Sequence, residues 1–231
     1  MRVLVTRAEP GASETCQRLA ALGHEPIAAP ALRIEIVAGA IPLDGVQALL
    51  FTSSNGARAF ASLSRERALP AFCVGDATAD VARAAGFADV RSADGDLGAL
   101  AALVVAQLQP DRGALVHAAG ADVAGDLAGQ MRANGFAVKL HVGYRAVHTG
   151  TLPDAAARAL SATPPQIDAV LFHSARGAEA FVKQVNAKAA LRHIDALCFS
   201  EAVANAARAT SWRRVLVAEA PRESALLALL D

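Results

Sequence analysis

The sequence predicts an α/β fold built on two parallel sheets. Short apolar runs alternate with helical patterns along the whole chain, the pattern of strand–helix units that pair in parallel. Turns rich in Gly, Ala, Ser and Thr separate many of these runs from the helix that follows. One strand–turn–helix stretch occurs twice. Ala48–Phe60, ALLFTSSNGARAF, and Ala169–Phe181, AVLFHSARGAEAF, share eight of thirteen residues without a gap, with Phe, Ser, Gly and Phe in register.

Each element follows from local pattern. Arg2–Thr6 is a short buried strand, Ala12–Leu22 a helix stopped by Gly23, and Pro26–Ala29 a second strand. Leu32–Val37 alternates apolar and charged residues, an extended segment with one wet face. Ala48–Phe51 is apolar enough to be buried on both faces, and Thr52-Ser53-Ser54-Asn55 supplies capping residues before a helix from about Gly56. Strand Ala71–Val74 turns at Gly75-Asp76 into a helix ended by Gly86. A short strand Asp89–Arg91 precedes the helix Ala99–Leu108. Strand Ala114–His117 leads to a small-residue turn, Ala118–Ala121, opening a helix closed by Asn134-Gly135. Ala137–Val142 is a strand continued by an extended Gly143–His148; helix Asp154–Ala162 follows. After the repeated stretch come strand Ala196–Ser200, helix Glu201–Thr210, strand Arg214–Val217 and a helix from about Arg222. Ten strands beside the Leu32–Val37 segment suit two five-stranded sheets.

A second echo supports duplication. Phe72–Phe87 matches Leu197–Trp212 with Cys73, Ala77, Ala79, Ala82, Arg83 and Ala84 each meeting an identical residue. Two foldings satisfy the order of the repeated units. Each half could be contiguous, split near Gly113. Alternatively the chain crosses over at Leu32–Val37, builds one domain from its middle, and crosses back at Val142–Val147. The two extended segments suit a paired connector and favour the crossed folding: residues 1–31 with 151–231 as one domain, 39–141 as the other, 32–38 and 142–150 between them.

Composition narrows the function. At 231 residues, 54% hydrophobic, the chain is long enough for a sizeable core. No apolar run approaches the ~20 residues of a membrane span, and MRVLVTRAEP enters a strand with no signal-peptide pattern. A cytoplasmic protein that binds no membrane is expected. Twenty-two basic residues balance 22 acidic ones, which disfavours a nucleic-acid surface. Cys16, Cys73 and Cys198 are widely spaced and read as core residues; the six histidines show no ligand spacing, so no metal is expected. Neither a dinucleotide fingerprint nor a P-loop is present.

Ligands of open parallel sheets sit beyond the carboxyl ends of the strands. The turns there carry Arg7, Thr52, Ser53, Ser54, Asn55, Gly75, Thr78, Gly120, Ser174, Ala175, Arg176 and Ser200. Small residues expose backbone N–H groups at helix starts, which suits a polyanion, with Arg7 and Arg176 assisting. Two such domains facing each other would make a large cleft. The same turns are also ordinary capping chemistry, and Asp76 and Glu201 read as helix-start residues. Tyr144, the single tyrosine, lies in the extended return segment; it reads as a packing residue, or as a general acid if it faces the ligand.

The ordered set LLFTSSNGARAF, FCVGDATADVARAAGF, Gly143-Tyr144-Arg145 and VLFHSARGAEAF resembles the uroporphyrinogen-III synthase family over nearly the whole chain. The resemblance implies two flavodoxin-like domains, one made from both chain ends, joined by a two-strand connector. It implies a heme-pathway enzyme without a cofactor. Its substrate would be hydroxymethylbilane, an eightfold carboxylate, cyclised with inversion of the last ring, ring D, and loss of water. Tyr144 matches a tyrosine frequent in the family and becomes the candidate for assisting loss of water. The chain departs from the family at Ser200-Glu201-Ala202-Val203-Ala204, where Gly75-Asp76-Ala77-Thr78-Ala79 keeps the Gly-x-x-Thr-Ala turn, and in lacking an arginine after His117. A monomer is expected. The alternatives are a two-domain cytoplasmic polyanion-binding protein and a flavodoxin-like redox carrier; one Trp and one Tyr give the latter little to stack on flavin.

Overall fold

Strands buried on both faces need unbroken apolar runs, and the central strands have them: LLF at Leu49–Phe51 and VLF at Val170–Phe172 are solvent-free. A computed structural model describes every residue of the chain except residue 124. Its elements begin with β1 (Arg2–Val5), α1 (Gly11–Ala21), β2 (Glu25–Ala28), β3 (Leu32–Ile36), β4 (Val46–Phe51) and α2 (Ser54–Leu63). Next come β5 (Ala71–Cys73), α3 (Asp76–Ala84), β6 (Val90–Ser92), α4 (Leu97–Gln107), β7 (Ala114–Gly120) and α5 (Leu127–Ala133). Then follow β8 (Val138–His148), α6 (Asp154–Ser161), β9 (Ala169–Phe172), α7 (Ala175–Gln184), β10 (Asp195–Cys198), α8 (Glu201–Ala207), β11 (Arg214–Val217) and α9 (Glu223–Leu227).

The chain divides into two compact units, Met1–Arg33 with Val147–Asp231, and Ile34–Ala146. The first unit holds a five-stranded sheet, β11-β10-β9-β1-β2, with every pair parallel. Counted along the unit, that is the flavodoxin order 2-1-3-4-5, which reverses between β1 and β9. One face packs Val3, Val5, Leu19, Leu171, Leu197 and Leu226. Elsewhere Phe172 meets Phe181 and Trp212 edge-on, with centroids 5.4 and 5.6 Å apart.

The other sheet, β3-β8-β7-β4-β5-β6, lies in the second unit except for the ends of β3 and β8; it has six strands where five were expected, because Leu32–Ile36 joins it as an edge strand. From β8 to β6 all pairs are parallel, in the order 3-2-1-4-5 counted from β4, which reverses between β4 and β7. Val37 N–H reaches Gly143 O at 2.9 Å and Thr149 N–H reaches Ala31 O at 3.2 Å. Numbering thus falls along β8 as it rises along β3, so that edge pair is antiparallel. Phe51, Phe60 and Phe87 fill one face with Leu49 and Val116; Leu50, Phe72, Leu100, Leu115 and Met131 fill the other.

Two local expectations change. Ala118–Gly120 is strand, not turn: Ala118 pairs with Phe51 and His141, and Gly120 with Tyr144. Ala118 is paired on both sides, and Ala119 and Gly120 continue the ladder with Val142 and Tyr144 of β8; that pairing outweighs the low strand propensity of Ala and Gly. The helix ending at Ala133 starts only at Leu127, and residue 124, which the expected helix would include, lies outside the described residues. Lys188–His193 forms a 3₁₀ segment that no pattern announced.

Candidate functional site

The strand-end turns of the second unit converge where its sheet order reverses. Ser53 is extended at φ −159° and caps α2, its Oγ accepting from Gly56 N–H at 3.1 Å. Gly56 lets that helix start close to the sheet, since a methyl there would lie 2.6 Å from Ala118 O. Tyr144, half-buried on β8, brings its hydroxyl to 3.0 Å from Ser53 Oγ, 91 residues away in sequence. Its ring lies on Gly120: an added Cβ would meet Tyr144 Cζ at 2.7 Å and the hydroxyl at 3.0 Å. Only a residue without a side chain lets the phenol lie flat against this strand end.

Thr52, just before Ser53, has its Oγ1 3.1 Å from Nε2 of His117, a buried imidazole on β7. Burial lowers the pKa of His117. Ser54 donates to Ala77 O at 3.2 Å, tying this turn to the first turn of α3. Asn55 is half-buried in the first turn of α2. Gly75 caps α3 with open space where a side chain would be, and Thr78 is buried in the first turn of that helix. The structure thus brings Thr52, Ser53, Gly120 and Tyr144 together, with Ser54 joined to the α3 turn.

The expected residues of the first unit meet a different environment. Ser174 caps α7, accepting from Gly177 N–H at 3.0 Å, with Ala175 and Arg176 in its first turn. Ser200 precedes α8 without a side-chain cap bond. Arg7 folds over Gly11 toward Thr15 Oγ1 at 3.2 Å and Glu223 Oε1 at 3.6 Å. Thr15 also donates to Glu223 at 2.5 Å, and Arg18 pairs with the same carboxylate. His173, stacked on Phe199, faces it at 3.8 Å, beyond a hydrogen bond. Burial alone would raise the Glu223 carboxyl, but His173, Thr15, Arg7 and Arg18 outweigh it and hold it at about 2. Burial lowers His173.

Sequence reasoning passed over His117 and Glu223. His117 sat in an apolar run, and Glu223 meets Thr15 across 208 residues, so no spacing could reveal either. Among the described residues no group of His, Cys, Asp and Glu could hold a metal ion. No helix there is long and apolar enough to cross a membrane.

The family profile described as uroporphyrinogen-III synthase HemD matches residues 13–228. No curated protein matches the chain. The crystal structure of uroporphyrinogen-III synthetase from Helicobacter pylori is similar over 100% of this chain and 98% of its own, with TM-score 0.66 and 17% identity. A mutant uroporphyrinogen III synthase from the extremely thermophilic bacterium Thermus thermophilus is similar over 100% and 97%, with TM-score 0.55 and 19% identity. These two likenesses speak to the fold. The profile match carries the family and favours the synthase over a polyanion-binding protein. From residue 13 to residue 228 the chain belongs to the uroporphyrinogen-III synthase family, the cyclising lyases that close hydroxymethylbilane, with inversion of ring D and loss of water, in tetrapyrrole biosynthesis.

Proposed function

We propose that Tyr144 is the acid of this reaction and that the strand-end turns hold the substrate's carboxylates. The carrying observation is the Tyr144 hydroxyl, 3.0 Å from the Ser53 cap of α2. Ser53 Oγ already accepts from Gly56 N–H. With the Ser53 proton donated to the phenol oxygen, the phenol proton is left to point outward. The chain of donors then runs Gly56 N–H, Ser53 O–H, Tyr144 O–H, leaving hydroxyl.

In the reaction the hydroxymethyl C–O bond breaks as the pyrrole nitrogen supplies the electron pair. The Tyr144 proton goes to the departing oxygen, which leaves as water. The terminal ring attacks the resulting azafulvene through its substituted carbon to give a spiro intermediate. Cleavage and re-closure invert that ring, and the proton released on rearomatisation restores the phenol. In the second unit the proposed contacts with substrate carboxylates are the backbone donors at Ser53–Asn55 and Gly75–Thr78, with Gly120; in the first unit they are Ser174–Arg176 and Ser200, with Arg7.

General acid help is typically worth ~10²–10⁴-fold, and the electron push of the pyrrole lowers the need for it. Tyr144→Phe should therefore slow turnover of enzymatically generated hydroxymethylbilane by about 10²-fold or less, while the fold survives with a stability loss of about 0.5–1.5 kcal/mol for the hydrogen bond to Ser53. Unchanged turnover in a folded Tyr144→Phe protein removes Tyr144 from the mechanism.

The same reading takes residues 1–31 with 151–231 and residues 39–141 as separate folding domains, which native-state hydrogen exchange should resolve as two cooperative units. It also takes the protein as a cytoplasmic monomer that binds no nucleic acid. The unpaired Cys16, Cys73 and Cys198 suit a reducing compartment, and the zero net charge suits a small-molecule substrate.

A further inference from the structure

The second unit buries an imidazole where the first carries an aliphatic side chain. In the repeated stretch Leu50 corresponds to Leu171. Leu171 pairs with Val5, whereas Leu50 pairs with His117. His117 is 1% exposed. Placing a polar ring in that position costs free energy unless its nitrogens are used.

One nitrogen is used. Nε2 lies 3.1 Å from Thr52 Oγ1, while Nδ1 is buried with no hydrogen-bonding partner among the described residues. Two neutral tautomers are open. In one, Nδ1–H is buried without an acceptor and Thr52 donates to Nε2. In the other, Nε2–H donates to Thr52 and Nδ1 keeps an unused lone pair. Among backbone groups, buried N–H donors without an acceptor are rarer than acceptors left short; by the same reasoning the second tautomer is favoured. A doubly protonated ring would also bury an orphan N–H.

That choice sets the polarity of Thr52. Its Oγ1 accepts from His117, so its one proton points elsewhere. Thr52 is half-buried at the carboxyl end of β4, next to Ser53 and therefore to Tyr144. We infer that His117 is a positioning residue that fixes the Thr52 hydroxyl as a donor to a substrate carboxylate, an acceptor-only group. This rests on the reading above that the Thr52–Asn55 turn contacts substrate.

The experiment has two arms on the whole protein. Nitrogen-15 NMR of the His117 ring should give the Nε2–H tautomer; an Nδ1–H tautomer overturns the inference. In kinetics, Thr52→Val should raise KM about ten-fold, the size of one hydrogen bond to a charged acceptor, with kcat little changed. His117→Leu leaves Thr52 its hydroxyl without its fixed direction and should raise KM by part of that, and Thr52→Val with His117→Leu no further than Thr52→Val. His117→Gln keeps an N–H at similar reach and should restore most of the lost affinity, which a merely space-filling role would not produce. If His117→Leu fails to fold, His117→Gln and the NMR arm decide. Additive effects in the double variant, or KM as high in His117→Gln as in Thr52→Val, overturn the inference alone. Unchanged KM in Thr52→Val overturns the substrate-contact reading and this inference with it.

Discussion

Replacing Gly120 by Ala tests the Tyr144 geometry while keeping the phenol. The new methyl carbon would start 2.7 Å from Tyr144 Cζ, 2.8 Å from Cε2 and 3.0 Å from the hydroxyl. Ordinary carbon contacts begin at about 3.5 Å, so the ring must move by roughly 0.7 Å or more. Gly120 is paired to Tyr144 in the ladder, which leaves the half-buried ring as the part that moves. The Ser53–Tyr144 bond is 3.0 Å long; the same displacement along it would exceed hydrogen-bond reach. A misplacement near 1 Å costs on the order of 10²-fold in rate, and overpacking about 1–3 kcal/mol in stability. Gly120→Ala should therefore lose about as much kcat as Tyr144→Phe, and Gly120→Ala with Tyr144→Phe should be little worse than either. The assay is consumption of hydroxymethylbilane with separation of the product isomers, run beside a thermal melt. Wild-type kcat in a folded Gly120→Ala protein would refute the argument, because the phenol's position would then be immaterial.

Other expectations follow from single contacts. Gly56→Ala puts Cβ 2.6 Å from Ala118 O, a backbone atom held in the ladder; it should lower stability by about 1–3 kcal/mol in a denaturant titration. Asp195 is buried, and its bonds to Arg213 and Arg214 overcome burial and hold it at about 2, below its ordinary 3.8. Glu223 is likewise held at about 2, below 4.5. Both folded values are depressed, so their stabilisation is present above the unfolded pKa values and is lost as pH falls through about 4 toward 2. The Asp195 share should be about 1–2 kcal/mol, discounted because its arginines are half exposed. Melting temperature against pH should flatten across that window in Asp195→Asn. Glu223→Gln removes the countercharge of Arg7 and Arg18 and should cost about 2 kcal/mol at neutral pH, less than breaking a fully buried pair because Arg18 is half exposed; an unchanged melt would show that cluster to be dispensable for stability.

The α/β class was legible because it is written locally. Apolar runs such as Ala48–Phe51 need no partner to be recognised, and Ser53 and Ser174 cap their helices as their types suggest. Gly86 and Gly135, read as helix stops, have φ of +93° and +86°. What could not be read is what strand order decides. Tyr144 meets Ser53 only because β8 lies beside β7 and β7 beside β4. Ala118–Gly120 reads as a turn by composition and becomes strand through its ladder with β8. Of the residues proposed to contact substrate, those that cap or precede helices were visible from type. His117 and Glu223 were not, because each is defined by a partner far away in sequence.

The duplicated stretch has come to support two different chemistries. Thr52 of the second unit corresponds to His173 of the first. In the first unit that imidazole stacks on Phe199 and faces Glu223, while Arg7, Arg18 and Thr15 converge on the same carboxylate. The donors at that strand end are thus engaged by an acid of the chain itself, and a substrate carboxylate approaching Arg7 would compete with one already held at about 2. In the second unit the corresponding hydroxyls are answered by an imidazole, a phenol and a backbone N–H. None of those partners is a fixed negative charge. On the proposed reading, an incoming polyanion would meet no internal competitor among them, and a leaving hydroxyl would find a proton donor. By this argument the proposed proton chemistry belongs to the second unit, while the first unit's matching turn is built around a structural carboxylate, Glu223.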